Sequence, residues 1–427
     1  MKNWSNTYEY SAGRIVAPES IDELRRIVAQ SDRVRPLGTK HSFNGIADTP
    51  GTLVDMTALP FEISIDAEAG TATVSGGTRY GVLAAALEDA GFALHNMGAL
   101  PHISVAGAVA TGTHGSGNSN GNLPSAIRGL EFVTPDGDLR RVGAEDPDFA
   151  GSVVALGTLG PAVRVTVAIQ PRFFVRQDTY RGLPWETLLG SFREVSGSAY
   201  SVSVFTRLVE DDEVQLWVKR RVDSQDAVVE DSYFGAQRDR QESAELVPGV
   251  GDNLTRRGVV VPWLYGLPHF RLDSPPSAGD EIQTEYFVAI EDAEAALSAV
   301  RALSDRIEPH LVVAELRTMA ADELWLSPAF ARDSLAIHFT FKNHPDDVFA
   351  LLPAIEDALA PFNPRPHWGK LNRIDPDTIA RVYPRLGQQR ELVLRQDPEG
   401  KFRNEYLDQV LGLAAAAPLD VDKQVSR

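Results

Sequence analysis

The hydrophobic and polar positions of residues 1–170 predict short strands and helices that alternate along the chain. Ser20 and Glu23 form a capping-box pattern, and the hydrophobic stripe that begins at Ile21 has helical spacing. The other elements predicted in this region are strands over Val34–Gly38, Thr52–Met56 and Ala162–Ile169, hairpins over Phe61–Ser75 and Leu130–Val142, a helix from a cap at Thr78 to Ala90 and a helix over Pro147–Leu156.

Beyond Pro171 the pattern changes to the alternation of a mostly antiparallel sheet. The elements predicted here are strands over Tyr200–Leu208, Val214–Val222, Gln283–Ile290, Leu311–Met319 and Ser334–Lys342, and helices over Glu291–Ile307 and Pro345–Leu359. The segment Asp231–Ser277 mixes charge with many prolines and glycines and is expected to form loops and short helices.

The chain length implies more than one domain. At 427 residues the chain exceeds the size at which one hydrophobic core usually keeps growing, so two domains are expected. We predict an α+β fold with a first domain over residues 1–170 and a second domain, built on the mostly antiparallel sheet, over residues 171–375. Residues 376–427 are too few to form a domain alone and are expected to return to the first domain.

Composition excludes several classes of function. The net charge of −18 argues against nucleic acid or an anionic membrane as a partner, because binding to either requires concentrated positive charge. The absence of cysteine excludes disulfides, thiolate metal sites and thiol catalysis. No hydrophobic run reaches the ~18 residues of a membrane span, and the first residues lack the pattern of a secretion signal. We expect a cytoplasmic protein that acts on a small molecule, with no metal and no required protein partner.

Two glycine-rich stretches, each with a histidine, are the first candidates for chemistry. They cover Arg35–Gly45, which contains His41, and Pro101–Gly117, which contains His114. Neither matches the P-loop or the dinucleotide fingerprint, yet loops of small residues let backbone N–H groups approach a pyrophosphate. One such loop is usually only a turn, whereas two in one domain favour a bound cofactor.

Polar residues on two predicted strands are the second set of candidates. The strand period of two places Glu315 and Arg317 on one face, and His338 and Thr340 on one face of the next strand. If the strands are neighbours, a carboxylate, a guanidinium and an imidazole lie together, which suits the hydroxyls of a polyol. The residues alone fit a surface ion pair with a solvated histidine equally well.

Two other functional classes also fit parts of the sequence. Gly117-Asn-Ser119-Asn-Gly121 fits the nucleophile motif of serine hydrolases, but its serine is predicted in a loop and not between a strand and a helix, so we reject that interpretation. A binding module without catalysis is the remaining alternative, since glycine loops can hold a ligand without further chemistry.

Several motifs together resemble a known family. Gly38-Thr-Lys-His41-Ser42 and Thr111-Gly-Thr-His114-Gly-Ser-Gly117 resemble the flavin-binding loops of the vanillyl-alcohol oxidase flavoprotein family. Ala314-Glu-Leu-Arg317, Ile337-His338-Phe and His367-Trp-Gly-Lys370 resemble its polyol branch, the alditol (xylitol) oxidases. The resemblance covers nearly all of the chain except residues 231–277, and it is specific as a combination, because each motif alone is weak.

The resemblance implies an FAD-binding domain and a substrate cap domain, with FAD linked covalently through His41. Histidine suits this link because neutral imidazole is a nucleophile near physiological pH. A second link through cysteine is excluded by composition. The residues implied to bind FAD are His41, Gly38, Thr39, Lys40, Ser42, Ser104, Val109, Gly112, His114, Gly115, Ser116, Gly117 and Val163.

The implied reaction converts the terminal CH–OH of an alditol, of xylitol or sorbitol type, to the aldose, with O2 reduced to H2O2. The residues implied to bind the substrate are Ser104, Glu315, Arg317, His338 and Lys370. His338 is the preferred catalytic base and Lys370 the other candidate; an ammonium there would oppose negative charge on the substrate oxygen and on O2. His102 and His367 are expected to be structural or to surround the flavin. The alternative is a sugar-1,4-lactone oxidoreductase of the same family, which shares the Glu-x-Arg and His-Trp-x-Lys features.

Overall fold

A computed structural model describes residues 1–210, 214–223, 229–240, 253–274 and 280–413. The described part is an α+β fold, as predicted, with three sheets and a short two-stranded ladder. Its strands are β1 (Arg14–Val16), β2 (Val34–Leu37), β3 (Thr52–Asp55), β4 (Ile63–Asp66), β5 (Thr71–Ser75), β6 (Phe92–Ala93), β7 (Ile127–Val133), β8 (Leu139–Gly143), β9 (Ala162–Ala168), β10 (Gln170–Pro171), β11 (Phe174–Arg181), β12 (Ser201–Thr206), β13 (Gln215–Val222), β14 (Ser232–Tyr233), β15 (Ala236–Asp239), β16 (Val260–Pro262), β17 (Glu281–Ala289), β18 (Leu311–Met319), β19 (Ser334–Lys342) and β20 (Arg365–Pro366).

The helices surround these sheets. They are α1 (Ile21–Gln30), α2 (Tyr80–Asp89), α3 (Val105–Ala110), α4 (Phe149–Val153), α5 (Trp185–Gly190), α6 (Phe192–Gly197), α7 (Trp263–Gly266), α8 (Ala293–Arg301), α9 (Ser304–Ile307), α10 (Pro345–Leu359), α11 (Pro376–Val382), α12 (Leu386–Gln396) and α13 (Glu405–Val410), with 3₁₀ turns at Gly45–Ala47, Met56–Ala58, Leu123–Ala126, Ile290–Asp292 and Ala360–Phe362. None of the described helices is long and apolar enough to cross a membrane.

Two sheets belong to the N-terminal part of the chain. Strands β1, β3 and β2 form a parallel three-stranded sheet, and β4-β5-β9-β7-β8 form an antiparallel five-stranded sheet. In β9 every second residue is buried, which is the pattern of a strand with one face on the core. The side chain of Ser20 accepts a hydrogen bond from the backbone N–H of Glu23 and thereby caps α1, as the sequence predicts.

The third sheet has ten strands and supplies most of the candidate site. Its order is β14-β15-β11-β13-β12-β18-β19-β17-β20, with β16 beside β11, and every described pairing is antiparallel. On one face, Ile337, Phe339 and Phe341 of β19 share a hydrophobic core with residues of α8 and α10. Because side chains alternate along a strand, the other face of β19 is left for polar residues.

Some elements differ from the sequence predictions. The predicted helix Pro147–Leu156 is limited to Phe149–Val153, since Leu156 has a left-handed backbone with φ of 55°. The predicted helix Glu291–Ile307 is divided into a 3₁₀ turn and two helices. Thr78 caps no helix, because α2 begins one residue later, after Arg79.

The sequence prediction also missed strand β11 and misassigned the segment Asp231–Ser277. Strand β11 escaped because its charged side chains, among them Arg176 and Asp178, pair with each other and conceal the alternation. The described parts of Asp231–Ser277 contain strands β14 to β16 besides helix α7, and residues 241–252 and 275–277 lie outside the described residues.

The C-terminal helices α12 and α13 pack on N-terminal elements. The side-chain amide of Asn404 donates to the backbone oxygens of Gly45 at 2.9 Å and Asp48 at 2.7 Å. The buried guanidinium of Arg35 donates to the backbone oxygen of Phe402 at 2.7 Å. These bonds fix the end of the described chain to the loop that contains His41; residues 414–427 lie outside the described part.

Candidate active site

The first glycine-rich loop places His41 on the wall of a large cavity. Lys40 has a left-handed backbone, with φ of 64°, and the imidazole of His41 stacks on Trp4 with ring centroids 5.1 Å apart. Its Nδ1 lies 2.9 Å from the hydroxyl oxygen of Thr39, while Nε2 is buried and has no hydrogen-bond partner. Burial lowers the pKa of His41 to about 4, helped by the charges of His102 and Arg79. The imidazole is therefore neutral and nucleophilic near pH 7.

The second loop meets the first at Ser104. Its backbone N–H donates to the hydroxyl of Thr39 at 3.1 Å. A Cβ atom at Gly38 would lie only 2.1 Å from Ser104 Oγ, so the two loops approach at a distance that only glycine permits.

The residues predicted to bind FAD divide into two groups. Those that line the cavity are Gly38, Thr39, Lys40, His41, Ser42, Ser104 and His114. Those outside its lining are Val109, Gly112, Gly115, Ser116, Gly117 and Val163. In the second group the glycines allow close packing: a Cβ atom at Gly115 would lie 2.5 Å from Asn96 Oδ1 and from the backbone oxygen of Met97. A role of this group in FAD binding stays a prediction.

The ten-stranded sheet forms the polar wall of the same cavity. Strand register pairs Glu315 of β18 with His338 of β19, and His338 with Glu285 of β17. These three residues, which we call the polar row, lie side by side across three neighbouring strands, and each is at most 6% exposed. Arg317 lies two residues along β18 from Glu315 and therefore on the same face. Strands β18 and β19 are neighbours, which is the condition under which the sequence places these side chains together.

Glu285 is the centre of the charge network in this wall. Its Oε2 lies 2.6 Å from Lys370 Nζ. Its Oε1 accepts from Arg317 at 3.1 Å and lies 3.1 Å from His114 Nε2. Burial alone would raise the pKa of Glu285, but Lys370, His114 and Arg317 together hold it well below its usual range. Glu285 is therefore a carboxylate that pairs with two buried cations, one of which, Arg317, also lies 3.4 Å from Glu315.

Lys370, His338 and Thr340 form a chain of hydrogen bonds. Lys370 Nζ lies 2.8 Å from His338 Nδ1, and His338 Nε2 lies 3.0 Å from Thr340 Oγ1. An ammonium group only donates, so Nδ1 accepts and the imidazole proton is on Nε2. Burial and the charge of Lys370 lower the pKa of His338 to about 3, so it is neutral at pH 7. Burial also lowers the pKa of Lys370.

The segment that carries Lys370 joins the two walls. The backbone N–H of Phe43, from the first loop, donates to the oxygen of Gly369 at 2.8 Å. The side-chain amide of Asn44 donates to the backbone oxygens of Trp368 and Lys370, both at 2.9 Å. On the other side, the N–H of His367 donates to the oxygen of Glu285 at 2.9 Å. Lys370 thus lies where the loop wall meets the sheet wall.

Sequence reasoning missed two residues of this wall, Glu285 and His269, and one behind it, Lys219. Glu285 was assigned only to a strand, although an acid between Thr284 and Tyr286 in a hydrophobic strand was a usable signal. His269 lies 2.7 Å from Glu315 Oε1, and Lys219 lies 3.1 Å from His269 Nδ1. His269 follows an unassigned loop, and no pattern in the sequence connects it to Glu315. Ser119 of the hydrolase-like motif lies in an irregular turn, in agreement with the rejection of that motif.

The polar row, Arg317 and Lys370 face one cavity of about 380 Å³, a size typical of small-molecule sites. The predicted substrate residues Ser104, Glu315, Arg317, His338 and Lys370 line it together with His41. The structure therefore brings every predicted catalytic and substrate-binding residue to the same cavity as the predicted point of flavin attachment.

Comparison with known families identifies the class. Residues 12–143 match the family described as "FAD binding domain", and residues 280–410 match the family described as "D-arabinono-1,4-lactone oxidase". Together with the cavity, these matches define an FAD-dependent oxidoreductase.

Individual relatives specify the family. The chain is 41% identical to an alditol oxidase of Streptomyces sp. over 96% of this chain and 98% of the relative. It is 29% identical to the L-gulono-1,4-lactone dehydrogenase of Mycobacterium tuberculosis over 96% and 98%. A cholesterol oxidase of B. sterolicum has the same fold, with a TM-score of 0.75, 14% identity and 96% coverage of both chains. The chain belongs to the alditol oxidase family, within the vanillyl-alcohol oxidase type of flavoproteins.

Proposed function

We propose that this protein oxidises the terminal CH–OH of an alditol, of xylitol or sorbitol type, to the aldose, and that O2 accepts the electrons and forms H2O2. The observation that carries the proposal is the polar wall of the cavity: two carboxylates, two cations and a neutral imidazole lie together opposite the glycine loops. A polyol offers a donor and an acceptor at every carbon, and this wall provides partners for both. The similarity to an alditol oxidase supports the same substrate class.

We also propose that FAD is attached covalently through His41. The residues present fit the group, because His41 offers a neutral imidazole with a buried, unpartnered Nε2 on the cavity wall. Gly38 and Gly107 line the same wall, and a Cβ atom at either position would lie within 2.7 Å of Ser104 Oγ, so the two glycines let the loops pack together beside His41. When bound, FAD supplies the acceptor for the hydride that leaves the substrate carbon.

Proton removal from the substrate hydroxyl is assigned to His338. In the structure its Nδ1 accepts a hydrogen bond from Lys370, so a substrate hydroxyl would take the place of Lys370 as the donor to Nδ1. The pKa of His338 is lowered to about 3, so the imidazole is unprotonated over the whole neutral range but a weak base, and proton removal would require Lys370 to stabilise the substrate oxygen at the same time. Lys370 would then contact the substrate oxygen and oppose its developing negative charge.

The remaining hydroxyls are assigned to Glu315, Arg317 and Ser104. Arg317 is held by Glu285 at 3.1 Å and by Glu315 at 3.4 Å, so its guanidinium is fixed before substrate binds. A donor group that is already oriented loses less conformational entropy when the ligand binds. This arrangement favours a ligand with a chain of hydroxyls over an apolar alcohol.

The domain assignment follows the two walls. We assign residues 1–170 and 376–427 to the FAD-binding domain and residues 171–375 to the substrate cap. The match of residues 12–143 to an FAD binding domain and the bonds from Asn404 to Gly45 and Asp48 support this division.

A sugar-1,4-lactone oxidoreductase is the alternative, since residues 280–410 match a lactone oxidase family. It is less favoured, because the lactone-acting relatives are more distant, at 29% identity or less over most of the chain.

One assay separates the two functions. Purified, flavin-loaded protein is tested for peroxide release with xylitol, sorbitol, glycerol and a galactonolactone at equal concentrations. The proposal expects peroxide with the five- or six-carbon alditols and little with the lactone. Peroxide with the lactone alone would select the alternative, and flavin reduction without peroxide would replace O2 by another acceptor.

A further inference from the structure

One amine lies in the core of the large sheet, outside the polar row. Lys219 of β13 is 1% exposed and has Trp217 and Val218, both fully buried, as its strand neighbours. No described carboxylate lies within ion-pair distance of its ammonium. Burial lowers the pKa of Lys219 to about 7, which reflects the cost of a charged amine at this position, and an unbranched apolar side chain would fill the space without that cost. The position therefore requires a reason beyond packing.

The ammonium of Lys219 has three acceptors, one for each of its N–H donors. They are the backbone oxygens of Leu267 and of Pro268, the latter at 2.9 Å, and Nδ1 of His269 at 3.1 Å. The first two fix the backbone next to His269, and the third fixes its ring. Lys219 belongs to strand β13, and Leu267–His269 is a connecting segment after α7. The three hydrogen bonds of Lys219 therefore link a strand to a loop.

The fixed imidazole of His269 in turn contacts Glu315. Because Nδ1 accepts from Lys219, the proton of the neutral imidazole is on Nε2, which lies 2.7 Å from Glu315 Oε1. A carboxylate only accepts, so both neighbours select the same tautomer. The rings of Phe205 and Trp217 contact the imidazole edge to face, with centroids 5.6 Å and 5.2 Å away, and prevent it from turning.

Glu315 is the end of this chain and faces the cavity. Its Oε1 is occupied by His269 and approached by Arg317 Nε at 3.4 Å. Within the described part of the chain no donor is bonded to Oε2, so this oxygen is the acceptor left for a substrate hydroxyl. A small rotation of the carboxylate would move Oε2, and the bond from His269 is what resists that rotation.

We propose that Lys219 is a positioning residue for substrate binding: through His269 it holds the carboxylate of Glu315 in the orientation that accepts a substrate hydroxyl. The proposal rests on the proposed function for the identity of the substrate, but the chain from Lys219 to Glu315 is defined without it. The hydrogen-bonded series ends on the binding residue Glu315 and not on the base His338. Loss of Lys219 should therefore change substrate affinity more than the rate of the chemical step.

The test compares Lys219→Met, which keeps length and removes all donors, with Lys219→Gln, which keeps a donor. In steady-state oxidation of the preferred alditol, Lys219→Met should raise KM about 10-fold, as expected for the loss of an oriented hydrogen-bonding partner, and change kcat less than about threefold. Lys219→Gln should recover part of the affinity. If Lys219→Met and Lys219→Gln both lower kcat to the same extent and leave KM unchanged, the positioning role is wrong.

A double-mutant cycle separates this role from general destabilisation. If Lys219 acts through His269, Lys219→Met should add less than about twofold to the loss in kcat/KM that His269→Gln causes alone. Val218→Ala is the matched control: it removes core volume from the same strand, should lower Tm, and should leave KM unchanged. Additive effects of Lys219→Met and His269→Gln, or a raised KM in Val218→Ala, would reduce Lys219 to a packing residue.

A spectroscopic readout keeps the test independent of the substrate. In flavin-loaded protein with ¹⁵N-labelled histidine, His269→Gln identifies the signals of His269 among those of the nine histidines. Wild type should show an unprotonated Nδ1 and a protonated Nε2, and Lys219→Met should shift the Nδ1 signal. An unshifted Nδ1 signal would contradict the hydrogen-bonded link from Lys219 to Glu315, even if alditols are oxidised. A shifted Nδ1 signal in a protein inactive on alditols would support that link and reject the proposed function.

Discussion

The two walls of the cavity are organised by different physical means. The loop wall, formed by the two glycine-rich loops, depends on a residue without a side chain and on an uncharged histidine. Gly38 lets Ser104 approach closely, and His41 is neutral with one nitrogen that has no hydrogen-bond partner. The sheet wall depends on charges that are present and paired, with Glu285 bonded to Lys370 and Arg317. The difference suits a flat, permanently held cofactor on one side and a small, exchangeable polyol on the other. Substitutions on the two walls should therefore have separable effects.

The largest effect is expected on the loop wall. His41→Ala removes the nucleophile, so all covalent flavin should be lost. Acid-precipitated wild type should form a yellow pellet, and the precipitated variant a white pellet with flavin in the supernatant. The measurement is flavin absorbance in both fractions.

Activity is recorded alongside as a control, because noncovalently bound flavin can still react. A colourless wild-type pellet would contradict the covalent link, whatever the activity.

The next effect is expected at the centre of the sheet wall. Glu285→Gln leaves Lys370 and Arg317 without their shared anion, so Lys370 is no longer held where it would oppose charge on the substrate oxygen, and kcat/KM should fall about 100-fold. Bound flavin should remain, because the loop wall is intact. Steady-state kinetics and the flavin absorption of the purified variant measure the two outcomes.

Glu356→Gln is the matched control for this substitution. Burial raises the pKa of Glu356 to about 7, so it already carries a proton in part of the molecules, and its contacts are Tyr286 and the backbone N–H of Arg373. Its kcat/KM should change less than about threefold. An equal loss in both variants would assign the effect of Glu285→Gln to folding.

An effect of similar size distinguishes His338 from Lys370. His338→Ala should slow flavin reduction about 10²-fold, in the range for removal of a general base, and leave reoxidation unchanged. Lys370→Met should slow both half-reactions, because O2 also acquires negative charge beside the flavin. Anaerobic stopped-flow measures reduction, and mixing of reduced enzyme with O2 measures reoxidation. Normal reduction in His338→Ala would transfer the base to Lys370.

The smallest effect is expected in the pH dependence of the two half-reactions. The pKa of His338 is lowered to about 3, so no loss of activity from its protonation is expected between pH 5 and 7. Burial lowers the pKa of Lys370, so its proton is lost as the pH rises through a value below the usual lysine range. Reoxidation should therefore decline on the alkaline side, and Lys370→Arg should move that decline to higher pH. A limb near pH 6.5 that disappears in His338→Ala would be inconsistent with a buried neutral imidazole.

The sequence predicted those residues of the sheet wall that share a face within a single strand. The period of two placed Glu315 with Arg317 and His338 with Thr340, and the structure confirms the shared face. An acid in a hydrophobic strand indicates that Glu285 has a role, but its partners depend on which strand lies beside β19, and pairing between distant strands is not encoded in the local pattern. Lys219 was missed for the same reason: its partner His269 is fifty residues away and in a loop.

The fold was predictable to a similar limit. The α+β class, the mostly antiparallel sheet and helix Pro345–Leu359 are confirmed. Strand β11 was not predictable from its hydrophobic residues, since its stability comes from pairing with β13, β15 and β16. The backbone of Leu156 likewise depends on tertiary contacts and not on helix propensity, so the predicted helix extended too far.

The polar row also constrains how this cavity can change in evolution. Side chains alternate between the two faces of a strand, so an insertion of one residue in β18 or β19 would turn Glu315 or His338 into the hydrophobic core and bring Leu316 or Ile337 into the cavity. Only exchanges of side chains at fixed positions, or length changes in loops that border the cavity, preserve the face. Relatives with a different substrate are therefore expected to keep the length of β17 to β19 and to differ at single positions on the polar face and in the segment before β17.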